Sequence, residues 1–302
     1  MSPDPVTARR AIDGLVRTTP VLHARPDLLF KLEQHQVSGT FKARGAFTAL
    51  SLAREQGTLP AAGVVAASGG NHGIAVATAA TTLGIPVHVF IPEAASPAKR
   101  ALLEASGAKV TVAGALYADA LEASRAEIER TGAMQIHAYD QPEVVAGQAT
   151  LALELLEQAE FDTVLVAVGG GGLLGGIVAG LAGSPARIVA VEPELIPSMH
   201  SALAAGGPVP VEVSGLTKDS LGASKVGALP YRLAAEAGVH SVLVPEAEIR
   251  AAHTALWQEF RIAAEYSAAT AYAALRCGAY RPRDGERVVV LICGANIESP
   301  RV

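Results

Sequence analysis

Short, charge-poor runs of valine, isoleucine and alanine recur along this chain, at residues 64–67, 87–91, 109–112, 163–168, 188–191, 241–244 and 288–293. They show little alternation of polar and apolar positions. A strand with one wet face alternates, so these runs are expected to be covered on both faces, as strands of parallel sheets are. Longer stretches with helical patterning lie between them, at 41–56, 71–83, 97–106, 117–131, 142–158, 173–182, 246–259 and 268–277. Gly84, Gly107 and Gly132 follow predicted helices closely, where a left-handed cap is expected. This alternation predicts an α/β protein with parallel sheets. Residues 193–228 break the rhythm with Pro193, Pro197, Pro208 and Pro210, many glycines and no clear period. An irregular excursion is expected there, of the kind that often closes over a site.

Half of the 302 residues are hydrophobic and 18% are charged, which permits a large core without covalent staples. The net charge of −5 argues against a nucleic-acid partner, whose binding surface would be basic. Cys277 and Cys293 are too few for a disulfide framework. The opening Met1-Ser2-Pro3-Asp4-Pro5 lacks a charged-then-apolar targeting pattern, so a cytoplasmic enzyme with small-molecule ligands is expected. Residues 164–182 carry no charge and are long enough to cross a bilayer. The four consecutive glycines inside them would break a helix, so a buried strand, a glycine turn and a buried helix are expected instead.

Three segments carry the chemistry. Lys42 lies in Val37-Ser38-Gly39-Thr40-Phe41-Lys42-Ala43-Arg44-Gly45-Ala46, at the start of an apolar helix, with Ser38 and Thr40 as capping candidates. A lysine shielded from water loses proton affinity and becomes a usable amine. Gly169, Gly170, Gly171 and Gly172 sit between a predicted strand and a predicted helix, where free N–H groups and the helix dipole favour an anion and side chains would block a phosphate. Neither a Walker loop nor a dinucleotide turn is present. Ser68-Gly69-Gly70-Asn71-His72-Gly73 follows another strand; its nest of N–H groups suits a carboxylate, and Asn71 suits a phenolic oxygen, while plain helix capping by Ser68 and Asn71 is the simpler reading. His72 lacks a partner at metal-ligand spacing and reads as a polar first-turn histidine. Cys293 ends the last predicted strand, where parallel sheets bind ligands, although a packed core cysteine would look the same. An amine, a polar clamp and a phosphate-sized cradle together suggest a phosphorylated carbonyl cofactor held as a Schiff base.

These segments, in this order, resemble the fold-type II pyridoxal-phosphate enzymes, and most nearly the serine/threonine dehydratases and serine racemases. The similarity extends to Arg17-Thr18-Thr19-Pro20-Val21-Leu22, the strand at Lys31-Leu32-Glu33, the helix start at Asp140-Gln141-Pro142, Val191-Glu192-Pro193, Asp219-Ser220-Leu221-Gly222-Ala223 and Cys293-Gly294-Ala295-Asn296. The resemblance implies two open, parallel-sheet, three-layer domains of the tryptophan synthase β type. A small domain at 50–142 would be inserted into a large one at 1–49 and 143–302, with no regulatory module after them. It implies pyridoxal 5'-phosphate as cofactor and a homodimer. Lys42 would carry the cofactor, with Phe41 beside its ring and Asn71 on its phenolic oxygen. Gly169, Gly170, Gly171 and Gly172, with Leu173 after them, would hold its phosphate, and Cys293 would face its ring nitrogen. Ser68, Gly69, Gly70, Asn71 and His72, with Ala223 of the substrate-side loop, would meet the substrate.

The implied reaction is β-elimination from a hydroxy amino acid, releasing a 2-oxo acid and ammonia. Racemisation would need a second acid/base, which serine racemases carry as a serine at the place held here by Gly69. Relatives bind a cation through the counterpart of Glu192 and an acid six residues later. That later position is Ser198, which makes a poor divalent site, so no metal is expected. Asp219-Ser220 departs from the Asp-Gly of many threonine dehydratases, leaving threonine, serine and 3-hydroxyaspartate open as substrates. β-Replacement, racemisation and a non-enzymatic cofactor-binding role are the alternatives.

Overall fold

The computed structural model describes residues 4–95 and 97–297. Helix α1 (Pro5–Ala11) starts behind Asp4, whose carboxylate accepts from the N–H groups of Val6 and Thr7. Strands β1 (Val21–Arg25) and β2 (Leu28–Leu32) form a hairpin, followed by α2 (Lys42–Glu55). Next come β3 (Val64–Ala67), α3 (Asn71–Thr82), β4 (Val87–Ile91), α4 (Pro97–Ala105), β5 (Lys109–Val112), α5 (Tyr117–Thr131) and β6 (Met134–Gln135). The chain continues through α6 (Pro142–Gln158), β7 (Thr163–Ala167), α7 (Gly172–Gly180), β8 (Arg187–Pro193), α8 (Ser198–Ala205), α9 (Lys218–Leu221) and α10 (Ala228–Glu236). It closes with β9 (His240–Val244), α11 (Glu246–Phe260), α12 (Tyr266–Cys277) and β10 (Val288–Ile292).

Among the described residues the strands form two sheets. The larger has the order β1-β2-β10-β7-β8-β9 and is parallel except for the edge strand β1; the smaller, β5-β4-β3-β6, is parallel throughout. All five residues of β7 and of β10 are buried, which is why those runs show no polar alternation. Helices α7 and α12 pack on β7 and β8, and α3 and α5 on β3 and β4. No helix among the described residues is long and apolar enough to cross a membrane; the uncharged run at 164–182 is a strand, a glycine turn and a helix.

One local expectation needs correction. Residues 193–228 contain α8, whose N-terminus is capped from a distance: the Glu192 carboxylate on β8 accepts from the N–H groups of Met199 and His200, each at 2.7 Å. A cap supplied by another element leaves no mark in the local pattern. Strand β2 is fully buried although Lys31 lies inside it. That ammonium is neutralised by Glu154 on α6 and bonded to the Thr19 carbonyl at 2.8 Å.

The topology places the site. The loops that begin at Ser68, Gly169 and Cys293 leave the carboxyl ends of β3, β7 and β10. In parallel sheets those ends open towards a common crevice.

Candidate active site

Lys42 is presented by a loop stitched to the end of β10. The Phe41 N–H donates to the Cys293 carbonyl and the Ala295 N–H to the Gly39 carbonyl, each at 3.1 Å, and Thr40 bridges Gly294. The turn needs left-handed backbone at Ser38 (φ 66°) and Gly39 (φ 72°). Ser38 does not cap α2: its hydroxyl is buried without a partner among the described residues, and Thr40 Oγ1 takes the Lys42 N–H at 3.3 Å. Lys42 Nζ reaches into the cleft and donates to the Ala138 carbonyl at 2.9 Å. Burial pulls its pKa down to about 8, which leaves a usable fraction of free base near neutrality.

The glycine loop is shaped by what surrounds it. A Cβ on Gly170 would overlap the Tyr139 ring, one on Gly169 would come within 2.8 Å of Leu221 Cα, and one on Gly172 within 2.8 Å of Tyr139 Cα. Gly171 has φ 89°, a conformation that glycine adopts without strain. No side chain caps α7, which starts at Gly172, so its first N–H groups and its dipole face the cleft free for an anion.

Asn71 does not cap α3. The helix has no side-chain cap, and Ser68 Oγ instead accepts from the Gly70 N–H at 3.2 Å. The Asn71 amide is held by Glu265, a residue that motif reading misses. Asn71 Nδ2 donates to both Glu265 oxygens, at 3.0 and 2.9 Å, while Asn71 Oδ1 accepts from Asn296 Nδ2 at 2.9 Å. A carboxylate only accepts, so it fixes which end of the amide faces it. Glu265 also accepts from Ser220 Oγ (3.1 Å), Ser267 Oγ (3.0 Å) and the Asn296 N–H (2.8 Å). Four chain segments thus meet at one buried anion. Nothing in its local sequence marks Glu265; it precedes α12 as an ordinary first-turn acid would.

Phe41, Lys42, Asn71, Gly169, Gly170, Gly171, Gly172, Leu173 and Cys293 all line one cavity, together with Tyr139, Ser220, Leu221 and Ser267. Ser68, Gly69, Gly70, His72 and Ala223 are not in that lining. The His72 ring is buried rather than a polar surface group. Its Nε2 lies 2.9 Å from the Ile136 carbonyl. Burial, aided by the charge of Lys42, drives its pKa to about 3, so only its main chain is available to a ligand. Burial first and then the charge of Glu265 push the Cys293 thiol up to about 12, leaving it neutral. Among the described residues no group of three or more His, Cys, Asp or Glu side chains could hold a metal; both Glu192 oxygens are engaged by α8. A wider groove of about 400 Å³ opens elsewhere beside Arg187, but that guanidinium is already paired with Glu286 at 2.7 Å.

A family model described as pyridoxal-phosphate dependent enzyme matches residues 12–294. The chain belongs to the pyridoxal-phosphate-dependent enzymes. Within them it is a fold-type II member of the serine/threonine dehydratase and racemase superfamily. This enzyme is 39% identical to the phenylserine dehydratase of Ralstonia pickettii over 304 residues, covering 96% of this chain and 91% of that one. It is 33% identical to the L-threonine ammonia-lyase of Thermotoga maritima, covering 96% and 74% of the two chains. Its fold matches the structure of maize serine racemase with a TM-score of 0.90 and 30% identity, covering 99% and 95%.

The residues present fit pyridoxal phosphate. The cofactor has an aldehyde, a phenolic oxygen, a ring nitrogen and a phosphate. The cavity holds a desolvated amine, an oriented amide, a neutral thiol and an uncapped helix start behind a cradle too tight for side chains.

Proposed function

We propose that this enzyme is an ammonia-lyase that dehydrates and deaminates an uncharged β-hydroxy amino acid such as threonine, serine or phenylserine, releasing a 2-oxo acid and ammonia. One observation carries the reading: among the described lining residues of the cavity there is a single basic side-chain nitrogen, Lys42 Nζ, its pKa lowered by burial, and position 69 has no side chain to act as a second acid/base. When bound, the cofactor supplies an electron sink for negative charge at the substrate's α-carbon.

The chain's own residues do the rest. Lys42 holds the cofactor and, once freed, takes the α-proton. The N–H groups of Gly169, Gly170, Gly171, Gly172 and Leu173 would hold the phosphate, and Asn71, oriented by Glu265, would turn one of the two N–H bonds it gives that carboxylate to the phenolic oxygen. The uncapped start of α3 would take the substrate carboxylate through the N–H groups of Gly69 and His72 and the Ser68 hydroxyl, because the Ser68 N–H already donates to the Phe90 carbonyl and the Gly70 N–H to Ser68 Oγ. Ala223 belongs to the loop beside it. Cys293 keeps its proton, so it would neither charge nor protonate the ring nitrogen. Apolar walls at Phe41, Tyr139, Leu173, Leu174 and Leu221 suit an uncharged β-substituent. No arginine or second lysine stands among the described lining residues, which disfavours 3-hydroxyaspartate.

Residues 50–142 form the inserted lobe in this reading, supported by the separate four-stranded sheet. The homodimer and the cytoplasmic location rest on the family resemblance and the composition.

The test is a panel of hydroxy amino acids scored for 2-oxo acid and ammonia. Equal amounts of both from threonine, serine or phenylserine, lost in Lys42→Ala, are expected. Formation of D-serine from L-serine would overturn the lyase reading. Absence of 2-oxo acid from every member of the panel would shift it to β-replacement.

A further inference from the structure

The carbonyl groups at the start of the glycine loop are drawn to partners that do not line the cavity. The Gly169 carbonyl accepts the Ser198 hydroxyl at 2.8 Å, and the Gly170 carbonyl accepts the Gly227 N–H at 3.1 Å. In a trans peptide the carbonyl and the N–H that follows it point in opposite directions. Tying back the Gly169 carbonyl therefore turns the Gly170 N–H the other way, and tying back the Gly170 carbonyl does the same for the Gly171 N–H. Glycines have no side chain to hold such an arrangement and would lose it cheaply.

Ser198 is itself locked. It is fully buried at the first position of α8, 3.1 Å from Glu192 Oε1. Glu192, also fully buried, grips the next two N–H groups of the helix. The serine has one hydrogen, and the shorter of its two contacts is to Gly169.

We propose that Ser198 is a positioning residue for the cofactor phosphate: it anchors the first glycine peptide so that the N–H groups of the loop converge on the cavity, and Glu192, by holding the N–H groups of Met199 and His200, fixes the helix start that carries Ser198. This rests on the reading that the four glycines hold the phosphate. Its substitution should therefore act on phosphate recognition alone and leave recognition of the cofactor ring untouched.

The experiment titrates the apoprotein with pyridoxal phosphate and, separately, with pyridoxal, which lacks the phosphate, and compares the two dissociation constants. In Ser198→Ala, which loses one hydrogen bond to a buried carbonyl, the constant for pyridoxal phosphate should rise about tenfold. The constant for pyridoxal should stay within about twofold of the wild type. Ser198→Cys, near in size but a weaker donor, should show the same selective loss in milder form, and covers the case in which the alanine variant does not fold. An unchanged preference for the phosphorylated cofactor in both variants overturns the proposal, as does an equal loss for both compounds. A wild-type protein that binds the two compounds alike would instead remove the phosphate role of the glycines, and the proposal with it.

Discussion

Replacing Arg44 by methionine removes the centre of a buried ion cluster two residues beyond Lys42. Arg44 is 1% exposed and donates to both oxygens of the fully buried Glu33 at 2.8 Å, and to Glu154 at 2.9 Å. Lys31, also fully buried, pairs with Glu154, so two cations balance two carboxylates that join β2, α2 and α6. Methionine fills most of the volume, but Glu33 then keeps only the Thr19 hydroxyl, at 2.5 Å. Breaking a buried pair by removing one partner costs about 3–5 kcal/mol. At about 2 °C per kcal/mol for a chain of this size, the thermal midpoint should fall by about 6–10 °C.

The loss should depend on pH. In the wild type, burial opposes the charge of Glu33, but Arg44 outweighs it and holds the carboxyl below its ordinary value of 4.5. That pairing contributes stability above the unfolded pKa and loses it as pH falls through the lower folded value. In the variant burial acts on Glu33 without its counter-charge and raises the folded pKa. The penalty is then full in alkaline solution and fades as pH falls towards the unfolded value. Calorimetry of the cofactor-loaded proteins should find the widest gap between wild type and variant at about pH 8 and a narrower one at about pH 5. Adding Glu33→Gln to the variant should restore part of the loss. A gap under about 2 °C at pH 8, or one that does not change with pH, would refute the assignment of this cluster as the anchor of α2.

Three further outcomes follow from the site. Gly170→Ala places a methyl against the Tyr139 ring and should weaken pyridoxal phosphate binding at least tenfold, or about 1.4 kcal/mol, by equilibrium dialysis; wild-type affinity would show that the ring does not constrain the loop. The rate at which apoprotein captures the cofactor, followed by absorbance, should rise as Lys42 loses its proton and level off above its pKa of about 8; a flat profile between pH 6 and 8 would remove Lys42 as the capturing amine. Gly69→Ser should not create racemase activity, because its Cβ would come within 2.9 Å of Ala95 Cβ and 3.6 Å of Ile91, which holds the new hydroxyl against the end of β4; appearance of D-serine from L-serine would refute that geometry.

Much of the fold and site was legible from local chemistry. Fully buried strands such as β7 and β10 announce themselves as unalternating apolar runs, and the helices between them follow from periodicity. The gathering of Lys42, Asn71, the four glycines and Cys293 in one cavity also follows, because each lies at or just past the carboxyl end of a parallel strand, or at the helix that packs beside one. What remained hidden depends on partners carried by other elements. Nothing beside Lys31 in the sequence shows that Glu154, 123 residues on, neutralises it inside β2. Helix α8 is capped from outside its own first turn, by Glu192 at the end of β8, which is near in sequence but on another element. Glu265 looks like any acid before a helix, yet three other segments converge on it, and nothing beside Ser198 in the sequence shows that its hydroxyl reaches the Gly169 carbonyl. Hydrophobic patterning and turn chemistry act over a few residues and determine elements and their order. The pairing of buried charges and the aim of backbone N–H groups are settled only when distant segments exclude water together, so the tertiary structure decided them.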